Sequence, residues 1–460
     1  MAGGSLGSRV CFLFIAALSG GLLAPTALRA ADLGGDCCAD LEQRVAELEA
    51  TAARKGNKKV SVQVYGKINR MVEFWDDGAE KNAYVTNNSY SPTRFGVKGT
   101  AKVGGEWSSG YRLEIEDSAA LSKELNQIND DGRYGAMNLR HSFLFLKNEK
   151  LGEVRLGLTW SPKDDITKDT HVLGEIVDTV HSDFYPNKDM FLRPKGFNTE
   201  SSLAKLTYGN INSCYSSGSA LFDCSTRRNM VVYVSPILAG FWVNWGWGED
   251  DIWATSLRYK FDGDNWKIGA GVAFEDFRDE NVQGSGGGLN GFKRNIQEWG
   301  GSASILHKPT GLFLFSAFTT SQDRDSNRNH AGVFTETDSP DMVGWDVEFG
   351  IQRPWTDLGR TTLFGGYTEG EDGIGGAGGP TRLIKAGVIP SVRVNTEITG
   401  SRTTKWYLAA DQELTKASMN LYLVFQHIDP EIDLVNSALD PVSAPLDDFD
   451  VLYTGARLYF

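Results

Sequence analysis

Past its N-terminal end the chain has no run of the roughly 18 apolar residues that a membrane-spanning helix needs. That excludes a helical membrane protein. Cysteine is scarce, with five in 460 residues. None lies in a Cys-x-x-Cys or Cys/His spacing, so neither zinc nor any other cofactor is expected. There are six histidines. Around His141-Ser142, His171 and His181 no nucleophile, base and acid sit at catalytic spacing, so enzyme activity is not expected. Positive charge is in deficit: 46 Lys and Arg face 59 Asp and Glu, for a formal charge of −13. A nucleic-acid partner is therefore not expected. Proline is sparse at 14, whereas Gly reaches 52, Trp 12 and Tyr 15. That mix suits many strands joined by tight turns and flanked by aromatic belts.

The N-terminal end has the pattern of a signal peptide, 1–30. Arg9 gives the positive start, Val10 to Ala24 the apolar stretch, and small residues mark a cleavage site near Ala30. Residues 31–59 form a short amphipathic segment and linker. Within it Cys38, Leu41, Val45, Leu48 and Ala52 repeat at heptad spacing. About two heptads are too short to stand alone as a coiled coil. Two readings stand: a coiled segment held together by an oligomeric barrel, or a helix lying on a barrel rim. The adjacent Cys37 and Cys38 either pair between subunits or stay free. Cys214 and Cys224 lie close together in an exported chain, and a loop disulfide between them is expected.

The rest, 60–460, is organised around its last strand. Counting back from the end, Phe460, Leu458, Ala456, Thr454 and Leu452 share one parity, and Tyr459, Arg457, Gly455 and Tyr453 the other. A period of two running to the last residue suits a closed barrel, whose last strand must pair with its first. The alternation recurs. Val62, Val64, Ile68, Val72 and Phe74 oppose Gln63, Tyr65, Lys67, Asn69 and Glu73. Phe95 and Val97 oppose Arg94 and Lys98; Val347 and Phe349 oppose Asp346 and Glu348; Leu408 and Ala410 oppose Tyr407 and Asp411. Arg70 falls on the apolar parity. Facing lipid at the midplane it would cost about 2–4 kcal/mol, so it is expected near a rim or in a subunit contact.

Connection length settles which face is outside. Tight turns at 103–106, 148–150, 235–237, 262–265, 308–311, 354–357 and near Thr415 alternate with long polar segments at 76–90, 118–136, 161–227, 277–295, 322–341, 369–401 and 429–447. One connection, near Glu249, is short. The expected fold is all-β: a transmembrane antiparallel barrel of about 16 strands with short periplasmic turns and long outer loops. A barrel this wide leaves an aqueous channel, and 161–227, the longest loop, would narrow it.

Val64-Tyr65-Gly66-Lys67, Thr93 to Gly99, Gly110 to Glu116, Leu139-Arg140-His141-Ser142-Phe143, Arg228-Asn229 and the terminal Tyr459-Phe460 together resemble the general porins of Gram-negative bacteria. With the start Cys37-Cys38-Ala39-Asp40-Leu41-Glu42 the chain looks most like the alphaproteobacterial porins. The resemblance implies a homotrimer of 16-stranded barrels in outer-membrane lipid, each pore narrowed by its third outer loop. It also implies a basic ladder on the wall, at Lys67, Arg94, Arg140 and Arg228, facing loop acids drawn from Asp164, Asp165, Glu175, Asp178 and Asp183. Parity turns Lys67 and Arg94 inward and leaves Arg140 and Arg228 undecided.

The implied function is passive diffusion of small polar solutes and ions through an outer-membrane channel. The alternative is a barrel-anchored tether whose N-terminal segment, with Lys55, Lys58 and Lys59, binds the cell wall. Without Arg9 and Arg29 the formal charge of −13 becomes about −15. If loop acids offset the ladder, the channel is expected to be weakly cation-selective.

Overall fold

The computed structural model describes residues 60–460 except 131–136, 167, 175–186, 196–205, 215–226, 249–250, 280–293, 325–340, 375–382, 385–395, 437–439 and 444. The expected signal peptide, the expected amphipathic segment and the first three cysteines lie outside the described residues.

Sixteen strands form the wall. They are β1 (Ser61–Asp76), β2 (Arg94–Gly104), β3 (Trp107–Asp117), β4 (Met137–Asn148), β5 (Gly152–Trp160) and β6 (Arg227–Val234). They continue with β7 (Phe241–Gly248), β8 (Ile252–Asp262), β9 (Trp266–Asp279), β10 (Arg294–His307) and β11 (Leu312–Asp323). The last five are β12 (Met342–Thr356), β13 (Gly359–Glu371), β14 (Thr396–Leu414), β15 (Met419–Asn436) and β16 (Phe449–Tyr459). Each pairs antiparallel with the next. β16 pairs antiparallel with β1, so the sheet closes and leaves no edge.

Seven short turns and both ends of the barrel chain lie on one side, and eight connections on the other. Strand parity sets the faces. Val64, Leu144, Phe349 and Leu408 are 61 to 66 % exposed, whereas Lys67, Asp346, Glu348, Lys405 and Gln426 are 3 % exposed or less. This is the inverse of a water-soluble barrel and fits a wall set in lipid.

Two boundaries differ from the sequence expectation. β14 and β15 pair from Thr396↔Asn436 downward, well into stretches expected as loops. Alternation persists there with its sense reversed: Ile428, Ile432 and Leu434 are buried on the inner parity, and the exposed Asp429, Glu431 and Asp433 alternate with them, so no outward apolar run marks the strand. The first loop likewise holds a strand, Lys81–Asn87, paired with the outer half of β1. Nor is the inside uniformly polar. Val424, Ile428, Phe449 and Val451 face inward and join a buried cluster with Met190, Leu192 and Ile211 of the long loop. The third loop thus stands on an apolar patch built for it. Arg70 faces outward and bonds Asp117 at 2.6 Å, level with the ends of β2 and β3. The pair sits at the rim of this part of the wall.

Candidate pore constriction

The inward positions of β2 and β3 carry both signs of charge. Arg94 sits across from Glu116, and Lys98 from Arg112, with Glu114 between them in the strand. Pairing between β3 and β4 then shifts: Glu114 faces His141 and Ile115 faces Leu139, so Arg140 has no partner in the ladder. This bulge resolves the parity of Arg140. The extra residue turns inward, as bulges re-aim side chains. Its Nε donates to Glu114 Oε1 at 3.0 Å, and its guanidinium also bonds Glu116.

Glu114, 1 % exposed, is the hub of this wall. It accepts from Arg112 at 2.6 Å and from the Tyr65 hydroxyl at 2.9 Å, and Arg94 approaches to 3.9 Å. The Arg112 guanidinium also lies 4.6 Å from the Trp160 ring centroid. Such stacking suits Arg, whose planar group keeps its charge against an aromatic face. Removing the hub would leave three partly exposed guanidiniums without the carboxylate they share.

Opposite this wall lies the start of the third loop. Residues 161–166 and 168–174 form tight turns, with Asp164 N bonding Ser161 O at 3.0 Å, Asp169 N bonding Asp165 O at 2.8 Å and His171 N bonding Lys168 O at 2.8 Å. The loop packs directly on β9 and β10, because the wall is bare there. A Cβ on Gly271 would come 2.9 Å from Ile166 Cδ1, and one on Gly269 would collide with the Thr170 carbonyl. The bare strip also brings polar anchors within reach. Ser302 donates to Ile166 O at 2.7 Å, Arg258 to Pro162 O at 2.9 Å, and Lys267 to Val172 O at 2.6 Å. His171 meets Glu348 at 3.0 Å, and Glu348 also accepts from Tyr407 at 2.7 Å.

Between wall and loop is a cavity of about 640 Å3. Arg94, Arg112, Arg140 and Arg227 line it on one side and Asp165, Lys168 and Asp169 on the other. Asp165 has a left-handed φ of 56° and pairs with Lys168 at 3.3 Å. Burial alone would raise its carboxyl, but Lys168, Arg227 and Arg140 together hold it well below the usual range. Asp169 is pushed up, by burial first and by Asp165, against the pull of Arg258.

The expected ladder is only partly assembled here. Arg94 and Arg140 line the cavity. Lys67 points inward but is 3 % exposed and bonds Ser91. Arg228 points inward, opposite Thr159, and its guanidinium stacks 4.9 Å from the Phe277 ring centroid. Of the loop acids, Asp165 lines the cavity, and Asp164 is 5 % exposed and not part of the lining. Glu175, Asp178 and Asp183 lie outside the described residues. Sequence reasoning missed Arg112, Glu114, Glu116 and Arg227. The first three stand two apart on the inward parity, which was a usable signal. Cys214 is fully buried, and Cys224 lies outside the described residues.

The Gram-negative porin family matches over residues 30–432. No curated protein sequence matches significantly. Among solved structures, an anion-selective porin from Comamonas acidovorans is similar with a TM-score of 0.52, at 14 % identity over 87 % of this chain and 100 % of its own. The trimer form of Vibrio cholerae OmpT gives 0.49, at 15 % identity over 88 % of this chain and 100 % of its own. Salmonella typhi OmpF in complex with daunomycin gives 0.47, at 14 % identity over 88 % and 99 %. At 14 % identity the likeness to the Comamonas porin speaks to the fold alone. With most of its length inside the family match and its sheet closed on sixteen strands, the chain belongs to the Gram-negative porins, outer-membrane β-barrel channels that carry out no enzymatic reaction.

Proposed function

We propose that small hydrophilic solutes and ions diffuse passively past a constriction framed by Arg94, Arg112, Arg140 and Arg227 on the wall and Asp165 on the third loop. One observation carries this reading. The cavity between wall and loop is lined by eight Lys and Arg side chains and four carboxylates. Charges at the narrowest point outweigh those in the loops above, because salt screens beyond about 10 Å at 0.1 M. The net charge of the whole chain suggested weak cation selectivity. The local balance favours the reverse, a preference for anions that weakens as salt rises. Liposome swelling tests the passage itself. Vesicles holding the protein should swell in small neutral sugars and in salts of small anions, and no swelling in either would end the channel reading.

Three finer statements belong to the same proposal. The homotrimer rests on the family resemblance, and the outward Arg70–Asp117 pair at the rim is compatible with a subunit contact. A Cys214–Cys224 disulfide is supported by the burial of Cys214 in an exported chain. Membership of the alphaproteobacterial branch rests on the Cys37-Cys38-Ala39-Asp40-Leu41-Glu42 start. The cell-wall tether rests on residues 31–59, outside the described residues, and nothing among the described ones favours it.

A further inference from the structure

The first outer loop returns to the wall by an unusual route. The strand Lys81–Asn87 pairs with the outer half of β1, ending at Asn87↔Arg70. β2 pairs with the lower half, starting at Arg94↔Lys67. Both run in the same direction against β1. They read as one descending strand interrupted by residues 88–93, which face only Ile68 and Asn69 of β1. Six residues against two leave four in excess, and the surplus folds into the lumen as an oversized bulge.

The excursion is anchored on every side. Asn69 Nδ2 donates to Ser91 O at 3.0 Å, and Thr93 Oγ1 accepts from Asn69 N at 3.0 Å. Asn88 Nδ2 donates to the Tyr422 hydroxyl at 3.2 Å, which donates to Asn69 Oδ1 at 2.7 Å. Gln426 reaches the Tyr90 hydroxyl at 3.4 Å, and Lys67 bonds Ser91. From the second loop, Lys123 N donates to Ser89 Oγ at 3.0 Å. Asn88, Ser89, Tyr90 and Ser91 are all buried. Ser89, Tyr90, Ser91 and Pro92 nonetheless line the same cavity as Arg94, Arg140 and Asp165.

We propose that residues 88–93 form a second, fixed jaw of the constriction, with Tyr90 helping to set the size limit for solutes. The jaw is neutral. It narrows the passage without adding charge, so it acts on size where the arginine wall acts on sign. Lys67, expected as a rung of the ladder, serves here as an anchor of the jaw. The proposal rests on the cavity being the permeation path.

Two variants test it. In one, residues 89–92 are replaced by Gly-Gly; in the other, Tyr90→Ala. Both are read by single-channel conductance and by the largest neutral sugar that swells liposomes, with heat-modifiable migration as the check on folding. Conductance should rise and larger sugars should enter, while the anion-to-cation ratio stays at its native value. A folded variant with native conductance and native size limit overturns the jaw. Gly269→Val, which should dislodge the third loop, separates the two readings. If it changes conductance and the jaw variants do not, the jaw fails alone; if none does, the permeation path itself is misplaced. Should the replacement fail to fold, Tyr90→Cys treated with a charged thiol reagent decides: a stepwise loss of current, absent in the native protein, supports the jaw, and unchanged current refutes it.

Discussion

Phe460, the last residue, lies across Gly66 at the seam of the barrel. The two exchange backbone hydrogen bonds, Gly66 N to Phe460 O at 3.0 Å and Phe460 N to Gly66 O at 3.1 Å. A Cβ at position 66 would come 2.8 Å from the ring carbon Cε2. The glycine leaves the space that the terminal ring fills. Each backbone bond contributes about 0.5–1.5 kcal/mol net, and they close the one seam that joins the chain's two ends. Deleting Phe460, or Gly66→Val, should lower the fraction of compact, heat-modifiable barrel. Phe460→Leu, which keeps both backbone bonds, should lower it less. Native yield from the deletion would contradict the seam's role.

The third loop is held by a bare strip of wall. Gly271→Val should displace Ile166, because the new side chain starts 2.9 Å from Ile166 Cδ1 and 3.0 Å from Thr170 Cγ2. Ile166→Ala should weaken docking by about 2–5 kcal/mol, as for other buried Ile truncations. Both should give larger and noisier single-channel currents in planar bilayers. Quiet currents of native size would show that the loop does not depend on this contact.

The two loop carboxylates should separate on acidification. Asp165 is held low and Asp169 is pushed up. As pH falls from neutral, Asp169 therefore takes up its proton first, and Asp165 keeps its charge through the ordinary carboxylate range. Losing one negative charge makes the lining more positive, so anion preference should rise as pH falls. Asp169→Asn should remove that step and show the stronger preference already at pH 7. Asp165→Asn should strengthen the preference at pH 7 and keep the step but move it to lower pH, because Asp165 no longer pushes Asp169 up. Identical pH profiles for both variants would contradict this assignment.

Peptide mapping examines the loop disulfide. Denatured but unreduced protein should resist alkylation at Cys214 and Cys224, and a non-reduced digest should contain the linked pair. Alkylation of both without reductant would exclude the bond.

Much of the wall was legible because its signal is local. The parity of Val64, Lys67, Phe349 and Glu348 is fixed by the pleat, and loop lengths alternate because short turns fall on one side. The constriction was less legible because it depends on register and on distant contacts. Arg140 turns inward through a one-residue shift between β3 and β4 that no parity count contains. Lys67 had the right face and a different task, since Ser91, its partner, arrives from a bulge 24 residues away. The inward apolar patch around Val424 and Phe449 was hidden for a related reason. Its partners, Met190 and Leu192, lie more than 200 residues earlier in the chain. Arg112, Glu114 and Glu116 were within reach, because their spacing places them on the inner face beside Arg94.

Ion preference is expected to follow the local balance of charge at the constriction rather than the acidic balance of the whole chain. The reversal potential of the purified channel in a salt gradient at neutral pH tests it most directly. With eight bases against four carboxylates on the lining, the sign should be that of an anion-preferring pore, fading at high salt. Arg227→Glu should move it toward cations. A cation-preferring reversal potential in the native protein would contradict the account and return the control of selectivity to the acidic loops.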